Sequence, residues 1–268
     1  MISPEIQIEL RRKYNPDGSD LRNLQLRMLR MLEYFDAFCK KHSLTYWLSS
    51  GTCLGAIRHQ GFIPWDDDLD IEMFPEDYKR LLSLKEDFED EFHILQDFET
   101  DKEYITPYGK VRDKESFVKE IHNRDLYFNY RGVFIDILIR EKGCFACSRI
   151  AHICQYFSYW ITNIKNNKIR KAAKFICYNF MHKALFPILR KVNSIFGEKG
   201  IYRYALGSSS YERIHSENIF PLKEAIFEGK KFPVPGNVDD YLRMIYGDYN
   251  SLPNLKNFRI HFTTISIK

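Results

Sequence analysis

Four aspartates crowd one short segment of the chain, GFIPWDDDLDIEM at residues 61–73. They are Asp66, Asp67, Asp68 and Asp70. If the segment is extended, its side chains alternate between two faces, so all of them except Asp67 share one face. Like charges a few Å apart raise each other's pKa unless a cation compensates them. A carboxylate pair that binds Mg²⁺ or Mn²⁺ together with substrate phosphate oxygens removes this repulsion, as is frequent in phosphoryl transfer.

A further carboxylate, Asp136, interrupts the apolar run GVFIDILI at residues 132–139. Burying one acid in such a strand is unfavourable unless a ligand or a hydrogen bond accompanies it. Asp136 is therefore the expected third member, with Asp68 and Asp70, of a metal site built across neighbouring strands. A hydrogen-bonded core aspartate is the alternative for Asp136, and an acidic turn is the alternative for the aspartate run.

The elements that must position these acids can be predicted from periodicity and turn signals. Apolar residues spaced three and four apart predict a helix over residues 21–42, and the segment PEDYKRLLSLKEDFEDEF predicts another over 75–92. Between them, Thr52 is a candidate cap for a short helix over 52–60. Strands are predicted at 44–50, 68–73 and 132–139, and a hairpin followed by a helix is predicted near the C-terminus. Together these elements predict an α/β (α+β) fold, with helices packed on a mixed sheet.

Length and composition favour one domain over residues 1–268. The chain is 44% hydrophobic and carries a formal charge of +4, which gives no indication of nucleic-acid binding. Its apolar runs are too short to span a bilayer, and its first residues lack a basic-then-apolar leader. These features predict a cytoplasmic protein.

Residues 143–203 differ from the rest in charge and predict a helical insertion. This span holds eleven Lys or Arg residues against one acid, Glu198, and it is rich in aromatic side chains. A solvated helix face explains such a pattern, but cations beside aromatics also suit an anionic membrane surface. Peripheral contact with the inner face of the cytoplasmic membrane through this insertion is therefore a second expectation.

The acidic segment and its lead-in, YWLSSGTCLGAIRHQGFIPWDDDLDIEM, resemble the core motif of the LicD family. The family pattern is Gly-Thr-Leu-Leu-Gly, an Arg-His pair, and Phe-Ile-Pro-Trp-Asp-Asp-Asp-x-Asp, from which this chain departs mainly at Cys53. Later pieces are also similar, namely YGKVRDKES, GVFIDI, FEGKKFPVP, YLRMIYGDY and the closing pair Arg259 and His261. The insertion carries none of these motifs.

The resemblance implies a nucleotidyltransferase-type fold and a reaction. Family members transfer a phospho-alcohol, with phosphocholine the best-known case, from a CDP-linked donor to a sugar hydroxyl of a cell-surface glycan, and CMP leaves. Fukutin-related proteins are distant relatives that use CDP-ribitol. The implied partners are a CDP-alcohol, first of all CDP-choline, and a glycan acceptor such as a teichoic acid, lipopolysaccharide or capsule precursor, which can be lipid-linked.

The resemblance also suggests roles for individual residues. Asp68, Asp70 and Asp136 are expected to bind the metal, and Asp66 or Asp136 to act as the base. The remaining positions are expected to contact substrate: Gly51 and Thr52 at the start of a helix, Arg58 and His59 at phosphate, Trp65 at a choline ammonium, Lys110 and Arg112 on one strand face, and Arg259 and His261 near the end. Tyr46, Trp47 and Tyr108 are further candidates for the ammonium.

Two other functions fit parts of the pattern. A nucleotidyltransferase that consumes a nucleoside triphosphate would release pyrophosphate and leave the nucleotide on its product. A non-catalytic, calcium-dependent glycan-binding module would also use the acids. This second alternative gives no reason for Arg58, His59 and Asp136 to accompany them.

Overall fold

The computed structural model describes residues 2–121, 125–210, 212–253, 255 and 261–267. Within them the helices are Pro4–Tyr14 (α1), Asp20–His42 (α2), Ser50–His59 (α3), Pro75–Ser83 (α4), Lys85–Phe88 (α5), Phe145–Trp160 (α6), Asn167–Phe180 (α7), Phe186–Phe196 (α8), Ser216–Ile219 (α9) and Val238–Tyr246 (α10). A 3₁₀ turn, Ile161–Asn163, follows α6, and a π-helical turn, Met181–Leu185, joins α7 to α8.

The strands of the same residues build one mixed sheet and two small ladders. They are Tyr46–Leu48 (β1), Asp70–Met73 (β2), His93–Gln96 (β3), Gly109–Asp113 (β4), Phe117–Glu120 (β5), Phe134–Lys142 (β6), Ile201–Tyr204 (β7), Arg213–His215 (β8), Lys223–Phe227 (β9), Lys230–Val234 (β10) and Phe262–Ser266 (β11). The sheet has the order β1-β2-β6-β4-β3, and the C-terminal part of β6 continues through β7 to β8. The ladders pair β9 with β10 and β5 with β11.

The core lies between this sheet and α2. Leu24, Met28, Leu32 and Phe35 on α2 are fully buried, at the spacing of three and four that the sequence predicts. Strands β2 and β6 run parallel in the middle of the sheet. Their residues on the covered face are apolar, because that face is buried. The mixed α/β fold predicted from the sequence is confirmed.

Several predicted boundaries need correction. The helix α3 begins at Ser50 after an extended Ser49, so Thr52 is not its cap; the Thr52 hydroxyl instead accepts a hydrogen bond from the backbone N–H of Asp70, at 2.9 Å. The predicted helix over 75–92 is divided into α4 and α5 and ends at Phe88. The Asp90 carboxylate then accepts hydrogen bonds from the backbone N–H groups of Phe92 and His93, which turns the chain into β3. Helices α6, α7 and α8 lie within the basic segment.

Candidate active site

Strand register brings three of the predicted site residues into one row across the sheet. Asp70 on β2 lies opposite Asp136 on β6, and Asp136 lies opposite Lys110 on β4. Residues paired in this way point to the same face of a sheet. The Lys110 Nζ atom lies 2.6 Å from Asp136 Oδ1, so a cation sits at the edge of the acid group.

The side chains before β2 alternate between two directions, as the sequence predicts. Asp66, Asp68 and Asp70 all line a cleft, whereas Leu69 is fully buried. Asp67 is also buried and points towards the C-terminal segment. There its carboxylate binds the His261 ring Nδ1 at 2.6 Å and accepts from the His261 backbone N–H at 2.7 Å.

A glycine allows the first of these acids to approach α3. A Cβ atom at Gly51 would lie 2.9 Å from Asp66 Oδ2, which is too close for an ordinary contact. Gly51 therefore lets the Asp66 carboxylate sit against the first turn of α3, while Thr52 ties the same turn to β2. These two predicted site residues shape the cleft through backbone geometry.

The cleft has two compartments that meet at the acids. The first, of about 650 Å³, is lined by Asp66 together with Arg58, Trp65 and the segment 248–253. The second, of about 420 Å³, is lined by Asp136 together with Tyr108, Tyr204, Glu212 and the serines 208–210. The walls that both compartments share are Ser50, Asp68, Asp70, Tyr246 and His261.

The acids are only partly compensated by cations. Burial, followed by repulsion from Asp68, raises the pKa values of Asp66 and Asp70 well above the usual range. Burial also raises the pKa of Asp68 and of Asp136, and these increases are opposed by His261 and Lys110 respectively. The two cations do not remove the repulsion among the carboxylates. The site therefore has the charge of one that would bind a further cation.

His261 is itself held in its charged form. Its hydrogen bond to Asp67 is the main cause that raises the pKa of His261 to about 9. The ring also lies 3.5 Å from Asp68 Oδ2, so it bridges two of the aspartates. At neutral pH His261 is a fixed positive charge at the point where the two compartments meet.

A ready-made metal cage is not present in the part of the chain that the structure describes, since no three His, Cys, Asp or Glu side chains there are arranged to hold an ion. The Asp136 carboxylate is already engaged with a cation of the protein, because it forms an ion pair with Lys110. Mg²⁺ usually needs only one or two protein carboxylates and takes its other ligands from water and substrate phosphates. Asp68 and Asp70 could supply such a pair.

Other predicted substrate contacts turn inwards. Arg112 is fully buried and donates to Gln96, to the Gly132 carbonyl and to Glu120, so it pairs within the fold. His59 is buried and bridges two residues: Arg58 Nε donates to its Nε2, and its Nδ1 meets Gln7 Oε1 at 2.6 Å. Burial lowers the pKa of His59 to about 3, so it is neutral and unsuited to a phosphate.

The remaining predicted contacts divide between the cleft and the core. Arg58 and Trp65 line the first compartment, and Arg58 also donates to the Tyr249 and Ser251 carbonyls. Tyr46 and Trp47 are buried and bonded to Asp36 and Glu72, so neither can meet a ligand in the cleft. Arg259 lies outside the described residues.

Several lining residues escaped the sequence analysis. Tyr204 and Tyr246 face the cleft from β7 and α10, and the serines 208–210 line the second compartment from the loop after β7. The motif YLRMIYGDY, which contains Tyr246, was the only signal available for any of them. A contact between elements so far apart in sequence cannot be read from local periodicity.

The central mixed sheet carries acids on two adjacent strands, and a strand and a glycine-containing helix start precede the first of them. This arrangement is typical of a nucleotidyltransferase-type domain. Residues 43–137 match the family model described as "LicD/FKTN/FKRP, nucleotidyltransferase domain". The resemblance to the LicD family seen in the motifs is thereby confirmed.

Individual relatives show the same resemblance. The chain is 29% identical to the lipopolysaccharide cholinephosphotransferase LicD of Haemophilus influenzae, over 90% of this chain and 95% of that protein. A shorter match joins it to the mouse ribitol-5-phosphate transferase FKTN, 42% identical over 20% of this chain and 12% of that protein. Yeast mannosyltransferase regulator 4 is 35% identical over 27% of this chain and 6% of its own length.

Proposed function

We propose that this protein is a metal-dependent phosphotransferase that moves a phospho-alcohol, phosphocholine first of all, from a CDP-linked donor to a sugar hydroxyl of a cell-surface glycan. The observation that carries the proposal is the position of Asp68 and Asp70 where the two compartments meet. Such a position suits a reaction in which one phosphorus exchanges partners from opposite sides.

The cofactor in this proposal is Mg²⁺ or Mn²⁺, held by Asp68 and Asp70; Asp136, the third ligand expected from the sequence, pairs with Lys110 instead and stays available for proton transfer. The carboxylates fit the ion, because their mutual repulsion is what a divalent cation would relieve. When bound, the metal would neutralise negative charge on the donor diphosphate. The chain adds two fixed cations beside this point, Lys110 and His261.

The two compartments suggest how the substrates are divided. The cytidine nucleotide is assigned to the larger one, where Trp65 offers an aromatic surface and Arg58 a cation. In-line displacement then requires the sugar hydroxyl to arrive through the second compartment. The new bond joins the sugar oxygen to the phosphorus that bears the alcohol, the bond from that phosphorus to the bridging oxygen breaks, and CMP leaves.

This division favours Asp136 over Asp66 as the base. Asp136 lines the second compartment, where the hydroxyl would enter, whereas Asp66 lines the first. Burial raises the pKa values of both carboxylates, so their positions decide between them as the base. The hydroxyl proton therefore passes to the Asp136 carboxylate as the sugar oxygen attacks.

The second compartment also suits a choline group. Tyr108, Tyr204 and Tyr246 line it, and Glu212 adds a carboxylate. A quaternary ammonium forms no conventional hydrogen bonds and binds through aromatic faces and negative charge. The relatives support the same chemistry, since one is named a cholinephosphotransferase and another a ribitol-5-phosphate transferase.

A CMP-release assay tests the proposal directly. The protein would be incubated with CDP-choline, CDP-ethanolamine, CDP-ribitol or CDP-glycerol and a panel of glycan acceptors, with Mg²⁺ or with EDTA. We expect CMP release that depends on metal and acceptor, with CDP-choline the best donor. Pyrophosphate release from a nucleoside triphosphate, or sugar binding that needs Ca²⁺ without turnover, would contradict it.

The choice of base has its own test. Asp136→Asn should abolish turnover, whereas Asp66→Asn should retain a measurable rate whose acidic pH limb is unchanged. The reverse ranking of the two variants would assign the base to Asp66 and place the acceptor in the first compartment.

A further inference from the structure

Helix α6 exposes large apolar side chains and buries small and polar ones, which is the reverse of the pattern expected for a helix that faces water. Its inner stripe is made of small and polar residues: Cys147, Ser148, Ala151, Gln155 and Ser158. Its outer residues are 46% to 61% exposed, and they are Phe145, Ile150, Ile153, Tyr156, Phe157 and Trp160. An amphipathic helix of a soluble domain shows the opposite pattern.

Helix α7 also exposes apolar side chains, and its ion pairs fix this orientation of the helix. Arg170 and Lys174 point inwards and bind Glu103 at 3.1 and 2.9 Å. This pairing fixes the outer face, whose apolar residues are 56% to 67% exposed: Ile169, Phe175, Ile176 and Phe180. Helix α8 adds Ile188, Ile195 and Phe196 at 60% to 72% exposure.

These exposed residues of α6, α7 and α8, called here the outer apolar stripes, are accompanied by positive charge. Lysines 165, 168, 171, 183 and 191 are all exposed, and Glu198 is the one acid in residues 143–203. A large exposed apolar surface marks a site of interaction. Two copies of such a cationic surface would repel each other, so the charge favours a partner that is both apolar and anionic.

We propose that α6, α7 and α8 dock on the surface of a bilayer rich in anionic lipids. The outer apolar stripes enter the boundary between headgroups and acyl chains, and the lysines meet the lipid phosphates. None of the helices in the described ranges is long and apolar enough to cross a membrane. At about 1.5 Å per residue, the 16 residues of α6 extend about 24 Å, which is less than the roughly 30 Å of a bilayer's hydrocarbon core.

Helix α6 connects this surface to the second compartment. His152 Nδ1 donates to the carbonyl of Ser208, which lines that compartment, at 3.2 Å. Gln155 Nε2 donates to the Ile105 carbonyl at 2.6 Å. Ser208, a wall of the second compartment, is therefore separated from the membrane-facing side of α6 by about one helix diameter, roughly 10 Å. Resting on the proposed function, this geometry favours an acceptor glycan that is attached to a lipid.

Tryptophan fluorescence offers a direct test, since Trp160 is 61% exposed while Trp47 and Trp65 are 0% and 7% exposed. The protein would be titrated with vesicles of phosphatidylglycerol and phosphatidylcholine in equal parts, and with vesicles of phosphatidylcholine alone. We expect a blue shift with the anionic vesicles and quenching when their acyl chains are brominated. Trp160→Phe should still sediment with vesicles but lose the shift.

Variants separate the apolar and the ionic parts of the contact. Phe157→Ser with Trp160→Ser should weaken vesicle partitioning about tenfold or more. Lys168→Gln should weaken it about fivefold, with the effect vanishing in high salt. Matched controls lie outside the insertion, where Ile6→Ser with Ile8→Ser and Lys231→Gln should change nothing; these positions are 41%, 59% and, for the lysine side chain, 70% exposed.

Equal partitioning by the Phe157/Trp160 variant and the wild type would overturn the proposal. So would an absence of binding to anionic vesicles, or a self-associated wild type that this variant converts to monomers. None of these measurements needs substrate, so they stand apart from the CMP-release assay. As a link to function, the Phe157/Trp160 variant should release CMP normally with a water-soluble acceptor and slowly with a vesicle-bound one.

Discussion

Strand β2 places two carboxylates of opposite character on one face of the sheet, at Asp70 and Glu72. Asp70 faces the cleft among other acids, and burial with repulsion raises its pKa well above the usual range. Glu72 is fully buried and accepts from Trp47, Ser49, Arg140 and Tyr241 at 2.7 to 3.2 Å. A buried charge with a complete set of donors is structural, whereas one crowded by like charges is poised for a ligand.

The largest effect is expected when an acid in the cleft is neutralised. Asp68→Asn should lower turnover by about three orders of magnitude, because several kcal/mol of transition-state stabilisation depend on the metal site. Its thermal stability should stay the same or rise, since the change relieves repulsion. CMP release and thermal unfolding would be measured together. Asp17→Asn, whose side chain is 95% exposed, serves as the control. An active Asp68→Asn enzyme would remove the metal assignment.

The second test breaks the fully partnered site. Arg140→Met leaves Glu72 as a buried charge without its cation, which should reduce the free energy of unfolding by about 3–5 kcal/mol. Urea denaturation measures this loss. Adding Glu72→Gln to the variant should restore part of the stability, because the uncompensated charge is then gone. A loss below about 1 kcal/mol would mean that the network stabilises the fold little.

The same contrast explains what the sequence could predict. Alternation along Asp66–Asp70 and the apolar strand around Asp136 are local signals, and both placed their acids correctly in the cleft. The inward turn of Arg112 and His59 depends on Gln96, Glu120 and Gln7, which lie elsewhere in the sequence. Tyr204 and Tyr246, which line the cleft, likewise come from β7 and α10. The resemblance to the LicD family indicated the fold, but it could not indicate which cations line the cleft.

Lys110 shares features of both carboxylate sites, because it is buried and ion-paired but lies at the edge of the cleft. It pairs with Asp136 at the edge of the cleft and also sits over the Phe134 ring, 3.1 Å from its centroid. Lys110→Met should lower turnover about tenfold to hundredfold, the equivalent of one charge-assisted contact. Since Lys110 opposes the increase in the pKa of Asp136, its loss should also move the acidic limb of the rate profile to higher pH.

Arg112→Met provides the contrast for that variant. Arg112 pairs with Glu120, and neither residue lines a compartment. Replacement of Arg112 should therefore mainly reduce stability, and it should move the acidic limb of the rate profile less than Lys110→Met does, because Glu120 is a weaker influence than Lys110 on the pKa of Asp136. Equal pH profiles for the wild type and Lys110→Met would show that Lys110 does not influence the base. A raised donor KM in Arg112→Met at full stability would return Arg112 to the list of substrate contacts.

The smallest effect expected concerns His261, whose side chain is 42% exposed. Its pKa rises on folding from about 6.5 to about 9 through its bond to Asp67. The bond therefore stabilises the fold fully below pH 6.5 and is lost as the pH passes 9. The wild-type melting temperature should fall over this interval relative to that of His261→Gln. Parallel curves for the two proteins would mean that His261 is neutral in the folded state, leaving Lys110 as the cation that offsets the acids.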